Sequence, residues 1–522
     1  MRLPLLPFCS SLWMAGAAAL LGGVALGALP AAGQSIPREQ TMIVSGAGAV
    51  ASVDPVRAVY FQTNRVTSRT YSALVTYDKD LNVIGDLASD FKVADDVRSI
   101  QFTLRDAVFH DGTPVTPADV AYSLDRYVRI GSGIAVYLTA YDRTEVTGDK
   151  TLVIHLKKPS SLFLTALSKV FILNSKLVAA NAGSDDAQGW LQNNDAGSGP
   201  YQMTGVNQKD ITLVWFDKHW EKRGRMAQSI IFRRSDESAT MREELRTGAI
   251  DASLSIIEND LDMLEKEKGV VSVAYGRRPS VNGVVFNTRV GPTADAKVRE
   301  ALTLAYDYAG AFKGIHKEKG YMPAGPLPDT LSCRPDFAAP VQNLEKARAL
   351  LAEAGQKDLT LTMRFQPAFK EQVAQATLLQ SNLAEIGVTL NLEPIAFPNY
   401  LAMLADPNQI PQMMLLGDSA LFPDVGVYLQ STYASTAIGT NKSGYANPEL
   451  DALLDKAAAS GDQTERCDLY KKAQQIIDAD HVFMPMFWAG INVVFRSDRM
   501  ADPLANAVGY NYAPILFEGL KD

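Results

Sequence analysis

The chain has few of the residues that most often form metal and catalytic sites. Its 522 residues include only five histidines and three cysteines. No histidine lies within five positions of another, and no two cysteines have the spacing of a zinc motif. The sequence therefore predicts no metal site and no cofactor.

The local patterns of common enzyme classes are also missing. There is no glycine-rich loop ending in Lys-Ser or Lys-Thr, and no serine has glycines at both the second position before it and the second position after it. Residues 46–51 fit a loose dinucleotide-binding pattern, but Pro55 disfavours the helix that this pattern requires. We therefore predict that the protein is not an enzyme.

Acidic residues outnumber basic residues in this chain. The chain has 50 Lys and Arg against 58 Asp and Glu, a formal net charge of −8. A protein that binds nucleic acid needs a basic surface to neutralise the phosphates. This balance argues against a nucleic-acid partner.

Long apolar runs are confined to the N-terminus. Met1-Arg2 precedes an apolar run over residues 12–29, and Pro30 and the small residues 31–33 follow it. This layout is typical of a cleavable signal peptide, with cleavage after Gly33, whereas Pro30 disfavours a permanent membrane anchor. We expect residues 1–33 to be removed and the mature chain to lie in the periplasm without stable membrane insertion. A disulfide between Cys333 and Cys467 is allowed there but not required.

Strand-like and helix-like segments alternate along the rest of the chain, whose length predicts two or three domains. The period-two pattern of residues 99–105 predicts a strand. Thr116, Pro117 and Asp119 have the N-cap pattern of a helix that should end at Gly131. Further strands are predicted over 41–45, 151–156 and 388–392, and further helices over 297–309, 343–354, 370–386, 449–459 and 463–479. The interleaving predicts an α/β architecture.

Residues 102–126 carry the most specific pattern in the chain. Leu104-Arg105, Phe109, the turn at 111–114 and Asp119-Val120 closely resemble the hallmark segment of the family 5 extracellular solute-binding proteins. Members of this family are the peptide- and nickel-binding components of ABC importers. Blocks similar to the family pattern follow in the same order at 197–201, 286–288 with Pro292, 298–302 with Asp307, and 347–355. The resemblance extends over nearly the whole chain after the signal peptide.

The resemblance implies a two-lobed periplasmic-binding-protein fold of the α/β class, with hinged lobes, a ligand cleft between them and an extra inserted domain. The implied boundaries are 1–33 for the signal peptide, 34–75, 195–284 and 488–522 for lobe I, 76–194 for the inserted domain II, and 285–487 for lobe II. Ligand would close the hinge, and the closed monomer would deliver it to the permease subunits of an ABC transporter, with the ATPase acting indirectly.

The resemblance also implies a ligand-binding segment in lobe II. Asp418 matches the aspartate that pairs with the ligand's α-amino group in peptide-binding relatives. Phe422 and Asp424 resemble the aromatic-Pro-Asp part of that segment, displaced by extra residues, and Val425 replaces its final proline. These departures put a standard peptide ligand in question. The alternatives are an exposed loop carboxylate for Asp418 and a cap of the following turn for Asp424.

A second group of candidates borders the implied cleft. Arg277 or Arg278 could bind a carboxylate or phosphate, although both are equally compatible with solvated positions. Asn282 lies in the same segment. Weaker candidates for an aromatic cleft wall, with core packing as the alternative, are Tyr60, Tyr137 and the segment Phe397-Pro398-Asn399-Tyr400.

The predicted function is capture of a small solute or short peptide for import. The ligand could be a peptide, an opine or a related polar compound, and the sequence does not name it. Two alternatives stay open: a receptor for a nickel-type metal chelate, and a periplasmic enzyme or chaperone on the same fold.

Overall fold

The fold is mixed α/β in a computed structural model that describes residues 36–46, 52–57, 61–78, 80–266, 271–396, 399–400, 403, 406–437, 440–504 and 519–521. The strands are β1 (Thr41–Gly46), β2 (Val75–Tyr77), β3 (Val83–Gly85), β4 (Ala88–Val93), β5 (Ser99–Leu104), β6 (Tyr141–Val146), β7 (Thr151–Leu156), β8 (Tyr201–Val206), β9 (Asp210–Trp215), β10 (Ser229–Arg234), β11 (Ala252–Ser253), β12 (Val271–Phe286), β13 (Thr360–Phe365), β14 (Thr389–Pro394), β15 (Met413–Ser419) and β16 (Phe483–Arg496).

The helices separate most of these strands, as the α/β prediction requires. They are α1 (Phe61–Thr70), α2 (Pro117–Ile130), α3 (Phe163–Ala166), α4 (Ser175–Ala180), α5 (Ser238–Thr247), α6 (Glu258–Lys266), α7 (Ala296–Ala305), α8 (Tyr308–Gly314), α9 (Leu344–Glu353), α10 (Lys370–Glu385), α11 (Val425–Tyr433), α12 (Pro448–Ala459) and α13 (Gln463–Ala479). Among the described residues, no helix combines the length and apolar character that a membrane span needs.

One sheet runs through both halves of the molecule. Its strand order is β14-β13-β15-β12-β16-β11-β1-β10-β9-β8. We call β8, β9, β10, β1 and β11 the first half-sheet, and β15, β13 and β14 the second half-sheet. The long strands β12 and β16 pair antiparallel from Val271↔Arg496 to Val285↔Phe483 and join the two halves. Their register shifts between Arg277 and Val281, where the ladder passes from one half to the other.

A separate four-stranded sheet, in the order β4-β5-β7-β6, packs against α2. We call β4 to β7 with α2 and α3 the small unit. The predicted start of α2 is confirmed: the Asp119 carboxylate accepts hydrogen bonds from the Thr116 backbone N–H at 2.8 Å and from its hydroxyl at 2.6 Å. Its predicted end is also confirmed, because Gly131 has a φ of +66° that suits glycine.

The helix predicted over 297–309 is wrong at its C-terminal end. Helix α7 stops at Ala305, and Tyr306 is extended with a ψ of 135°. The Asp307 carboxylate then accepts a hydrogen bond from the Gly310 N–H at 2.8 Å and caps the new helix α8. The local N-cap signal of Asp307 thus outweighed the continuous apolar periodicity.

A disulfide stabilises the second half of the molecule. Cys333 and Cys467 are bonded, with Cα atoms 5.0 Å apart, which answers the question that the sequence left open. Cys467 lies on α13, and Cys333 packs against the apolar cluster that α11, α12 and α13 share. The bond therefore attaches the segment before α9 to this helical layer.

The small unit contacts the second half directly. The Ser161 N–H donates to the Ala458 carbonyl oxygen at 2.9 Å. Leu162 packs with Phe422 and Val427 in a buried apolar cluster. These contacts bring the small unit against the helical layer of the second half.

Candidate ligand-binding site

The crossing strands present different side chains on their two faces. β12 pairs antiparallel with β15 in the register Ser280↔Ser419, Val281↔Asp418 and Asn282↔Gly417. Directly opposite residues share a face, and successive residues alternate between faces. Ser280, Asn282 and Ser419 therefore lie on one face, and Asp418 lies on the other.

A cavity of about 520 Å³ covers the face that carries Ser280, Asn282 and Ser419. Its lining is dominated by amide and hydroxyl side chains: Ser280, Asn282, Gln366, Gln372, Gln375, Tyr400, Ser419 and Asn492. Aromatic rings and two charged groups complete much of the wall: Phe369, Phe487, His316, Lys319 and Glu371. The cavity is large enough for a small organic solute.

Both halves of the molecule contribute to this cavity. Helix α6 beside the first half-sheet supplies Leu261, and β16 supplies Ile491 and Asn492. Gln366 follows β13, and the first turns of α10 supply Gln372 and other lining residues. The cavity therefore lies where the two halves meet, and a solute in it contacts both.

Two glycines allow the close packing of the cavity wall. At Gly417 a Cβ atom would collide with the Asn282 side-chain oxygen. At Gly320, where φ is +99°, a Cβ atom would collide with the Phe487 ring. The absence of a side chain at these positions keeps the Asn282 amide and the Phe487 ring at the cavity surface.

His316 is an uncharged member of the wall. Its ring stacks on Phe487 with centroids 3.5 Å apart, and its Nε2 lies 3.2 Å from Gln375 Nε2. Burial lowers the pKa of His316 to about 4, because the charged imidazolium loses its hydration. The ring is therefore neutral near pH 7 and offers a hydrogen-bonding nitrogen.

An ion pair spans the two halves at the edge of the cavity. Lys319 Nζ donates to the Asp262 carboxylate of α6 at 3.0 Å, and Lys317 Nζ lies 3.9 Å from the same group. The hydrogen bond from Lys319, together with the charge of that group, lowers the pKa of the Asp262 carboxyl. This pair adds an attractive contact between the halves.

Asp418 points away from the large cavity. Its carboxylate accepts hydrogen bonds from the Tyr428 hydroxyl at 3.1 Å and from the Ser419 N–H at 3.0 Å. Burial raises its pKa, and the positive charge of Lys442 offsets part of that rise. The space beside it is about 20 Å³, enough for roughly one water molecule.

The other predicted site residues have different places. Phe422 is buried and lies edge-on to the Tyr137 ring, with centroids 5.0 Å apart, so these two pack between the second half and the small unit. Asp424 caps α11: it accepts from Gly426 N at 2.8 Å, and Arg466 lies 3.3 Å away. Among the predicted ligand residues whose side chains the structure describes, Asn282 and Tyr400 line the large cavity.

Four predicted ligand residues lie wholly or partly outside the part of the chain that the structure describes. Tyr60 and Phe397 lie outside the described residues. The backbone of Arg277 and Arg278 belongs to β12, but their side chains are not described. Their proposed roles remain predictions.

Sequence reasoning missed most of the cavity wall. Gln372 and Gln375 are three residues apart, so they share a helix face, and Gln366 lies one loop before them. Neutral amides at helical spacing on a predicted helix were the available signal. His316 and Lys319 gave no comparable local pattern.

Comparison with known proteins agrees with the predicted resemblance. The model of the bacterial extracellular solute-binding proteins, family 5 (middle), matches residues 82–440. A probable D,D-dipeptide-binding periplasmic protein of Escherichia coli is 28% identical over 470 residues, covering 88% of this chain and 90% of the relative.

Solved structures confirm the two-lobed fold. A periplasmic binding protein from A. tumefaciens R10 in complex with agropinic acid gives a TM-score of 0.79 at 23% identity, covering 92% of this chain and 98% of that one. NikZ from Campylobacter jejuni in complex with Ni(L-His) gives a TM-score of 0.80 at 20% identity, covering 93% and 100%. With the family match over the main body, these similarities show that the chain belongs to family 5 of the bacterial extracellular solute-binding proteins, the periplasmic substrate-binding components of ABC transporters.

Proposed function

We propose that this protein captures a small polar solute in the 520 Å³ cavity and delivers it to the permease subunits of an ABC importer. The observation that supports this proposal is the position of the cavity, whose wall comes from both halves of the molecule. Its volume lies within the range of about 300–1,000 Å³ that is usual for small-molecule sites. The named ligands of the relatives, a dipeptide, agropinic acid and a nickel–histidine complex, are all small and polar.

Closure follows from the shared wall. A solute that touches Asn282 and Gln372 on one side and Asn492 on the other gains its full set of contacts only when the halves are close. The solute therefore stabilises the closed state over the open state by the free energy of the contacts that it makes only when the halves are close. The register shift in the β12–β16 ladder is the proposed hinge, since irregular strand positions absorb backbone rotation most readily.

The proposal includes several points that rest on sequence. Residues 1–33 act as a cleaved signal peptide, and the mature protein works as a periplasmic monomer without catalytic turnover. Lobe II and the inserted domain follow the boundaries predicted above. The contacts of Tyr137 and Leu162 with Phe422 support close docking of the inserted domain on lobe II.

A metal-chelate receptor is the second candidate. His316 lies in the cavity wall and its ring is neutral near pH 7, which is the form that coordinates metals. Among the described residues no group of three His, Cys, Asp or Glu is arranged to hold a metal ion by itself. A metal would thus have to arrive with its own chelator.

The test begins with protein purified from the periplasm without refolding. Mass spectrometry identifies the small molecules that heat releases, and titration calorimetry of the stripped protein measures their affinity. Gln372→Trp should fill the cavity and reduce affinity by at least about tenfold. Thr377→Trp, an exposed position on the same helix α10, is the matched control and should leave affinity unchanged.

Small-angle scattering tests the closure. Saturating solute should reduce the radius of gyration of the stripped protein. Equal affinity in Gln372→Trp and wild type would show that the solute binds elsewhere. A released nickel complex, bound tightly by the stripped protein, would favour the chelate receptor instead.

A further inference from the structure

We propose that the solute is recognised through its hydroxyl, amide or carbonyl groups and that an ammonium group contributes nothing to its affinity. This inference rests on the proposed function, because it takes the 520 Å³ cavity as the binding site. It assigns a substrate class: oxygen-rich or amide-rich solutes without a required free amine.

The first argument is the chemistry of the cavity wall. Asn282, Gln372 and Asn492 carry amides, and Ser280 and Ser419 carry hydroxyls. Amide and hydroxyl side chains both donate and accept hydrogen bonds, as do hydroxyl and amide groups on a solute. A wall of this kind matches such groups without any net charge.

The second argument is the lack of a buried counter-ion. A desolvated ammonium group needs an anionic partner, since burying an unpaired charge is costly. Among the described residues that line the cavity, the carboxylate is that of Glu371, which is exposed. An ammonium group deep in the cavity would face neutral side chains.

Asp418 does not supply this counter-ion. The strand register places its side chain on the opposite face from Ser419 and Asn282. Its carboxylate already accepts hydrogen bonds from Tyr428 and from the Ser419 N–H. The nearby Lys442 provides compensating positive charge from within the protein.

The experiment compares matched pairs of solutes by titration calorimetry. The library contains dipeptides, tripeptides, amino sugars and sugar–amino acid conjugates, each with a free amine and as its N-acetyl derivative. For the tightest-binding solute, N-acetylation should change the affinity by less than about threefold. Asp418→Asn should likewise change the affinity by less than about threefold. If Asp418 did bind an ammonium group of the solute, removing its charge would weaken binding by more than about threefold.

The cavity amides provide the positive readout. Asn282→Leu and Gln372→Leu should each weaken binding of the same solute by roughly tenfold or more, and Thr377→Leu on the same helix should not. Melting temperatures of all variants establish that they are folded.

Two outcomes count against the proposals, and they differ. A tenfold loss of affinity on N-acetylation, or in Asp418→Asn at an unchanged melting temperature, overturns the ammonium-independent recognition while leaving solute capture intact. If no library member and no component of a metabolite extract binds the stripped protein, the proposed function itself fails, and this inference fails with it.

Discussion

The Asp262 carboxylate and the Lys319 ammonium group lie 3.0 Å apart across the cleft, one on α6 beside the first half-sheet and the other after α8. This relationship couples the cavity to the separation of the two halves. Lys319 also lines the cavity, so the ion pair lies beside the proposed solute site.

Asp262→Asn should weaken solute binding by about two- to fivefold, because an exposed ion pair contributes little. The effect should shrink at high salt, where the pair is screened. The lowered pKa of Asp262 adds a pH test: the carboxylate must be ionised, so its contribution is present above the ordinary carboxyl range and is lost as pH falls through the lowered pKa. Calorimetric titrations at two salt concentrations and two pH values check this. A salt-independent loss of affinity would contradict the ion-pair explanation.

Gly417→Ala should weaken solute binding, because the new methyl group displaces the Asn282 side chain from the cavity wall. The expected loss is about fivefold or more, in the range of one hydrogen bond. Asn282→Ala should cause a similar loss, and the double variant should be no worse than either single variant. Calorimetry of the three variants measures this coupling. Additive losses would mean that the two residues act separately.

Asp54→Ala should destabilise the fold by about 3–5 kcal/mol, because it leaves a buried guanidinium without its counter-ion. Arg126 of α2 donates to Asp54 at 2.7 and 3.1 Å, and the side chains are 0% and 1% exposed. Urea unfolding gives the free energy of unfolding. Arg129→Ala is the control: Arg129 lies on the same helix as Arg126, is half-exposed and pairs with Asp186. Its loss should lower the free energy of unfolding by less than about 1 kcal/mol.

Much of the fold could be predicted from sequence, because many helix boundaries depend on residues close in the chain. The cap of α2 and its end at Gly131 follow from a few neighbouring residues. The role of Arg299 did not follow: it is buried and donates to carbonyl oxygens of Thr293 and Asp480. Its partners lie far apart in the sequence.

The site was harder to predict for the same reason. Which face of β15 carries Asp418 depends on its register with β12, and a shift of one residue would reverse it. The cavity wall combines segments from α6, α8–α9, α10 and β16 that meet only in the folded chain. The resemblance pointed to a segment that borders the cavity, and the alternation of side chains along the strand decides which of them face it.

His316 should make the fold acid-sensitive between about pH 6.5 and 4. Its pKa is lowered from 6.5 to about 4 in the folded protein, so the unfolded chain binds a proton there that the folded chain does not. The contribution of neutral His316 to the free energy of unfolding is therefore fully present above pH 6.5. As the pH falls below 6.5, the free energy of unfolding decreases by at most about 1.4 kcal/mol per pH unit. His316→Phe should reduce this slope in urea unfolding measured at pH 7, 6 and 5. An identical slope in the variant would contradict the assignment.

Reduction of the Cys333–Cys467 bond should lower the free energy of unfolding by about 2–5 kcal/mol, because the bond restricts the unfolded chain. Solute affinity should change little, since both cysteines lie outside the cavity wall. Urea unfolding with and without reductant measures the loss, and the Cys333→Ser/Cys467→Ser variant should match the reduced protein. Insensitivity of the variant to reductant serves as the control.

The position of β16 has a consequence for biosynthesis. This strand, residues 483–496, lies between β11 and β12 in the middle of the ten-stranded sheet, although it follows the other strands of that sheet in the sequence. The first half-sheet cannot join the second until residues 483–496 have been synthesised. Until residues 483–496 are present the central sheet stays open, and a truncation before residue 483 leaves two sheet edges without their shared neighbour.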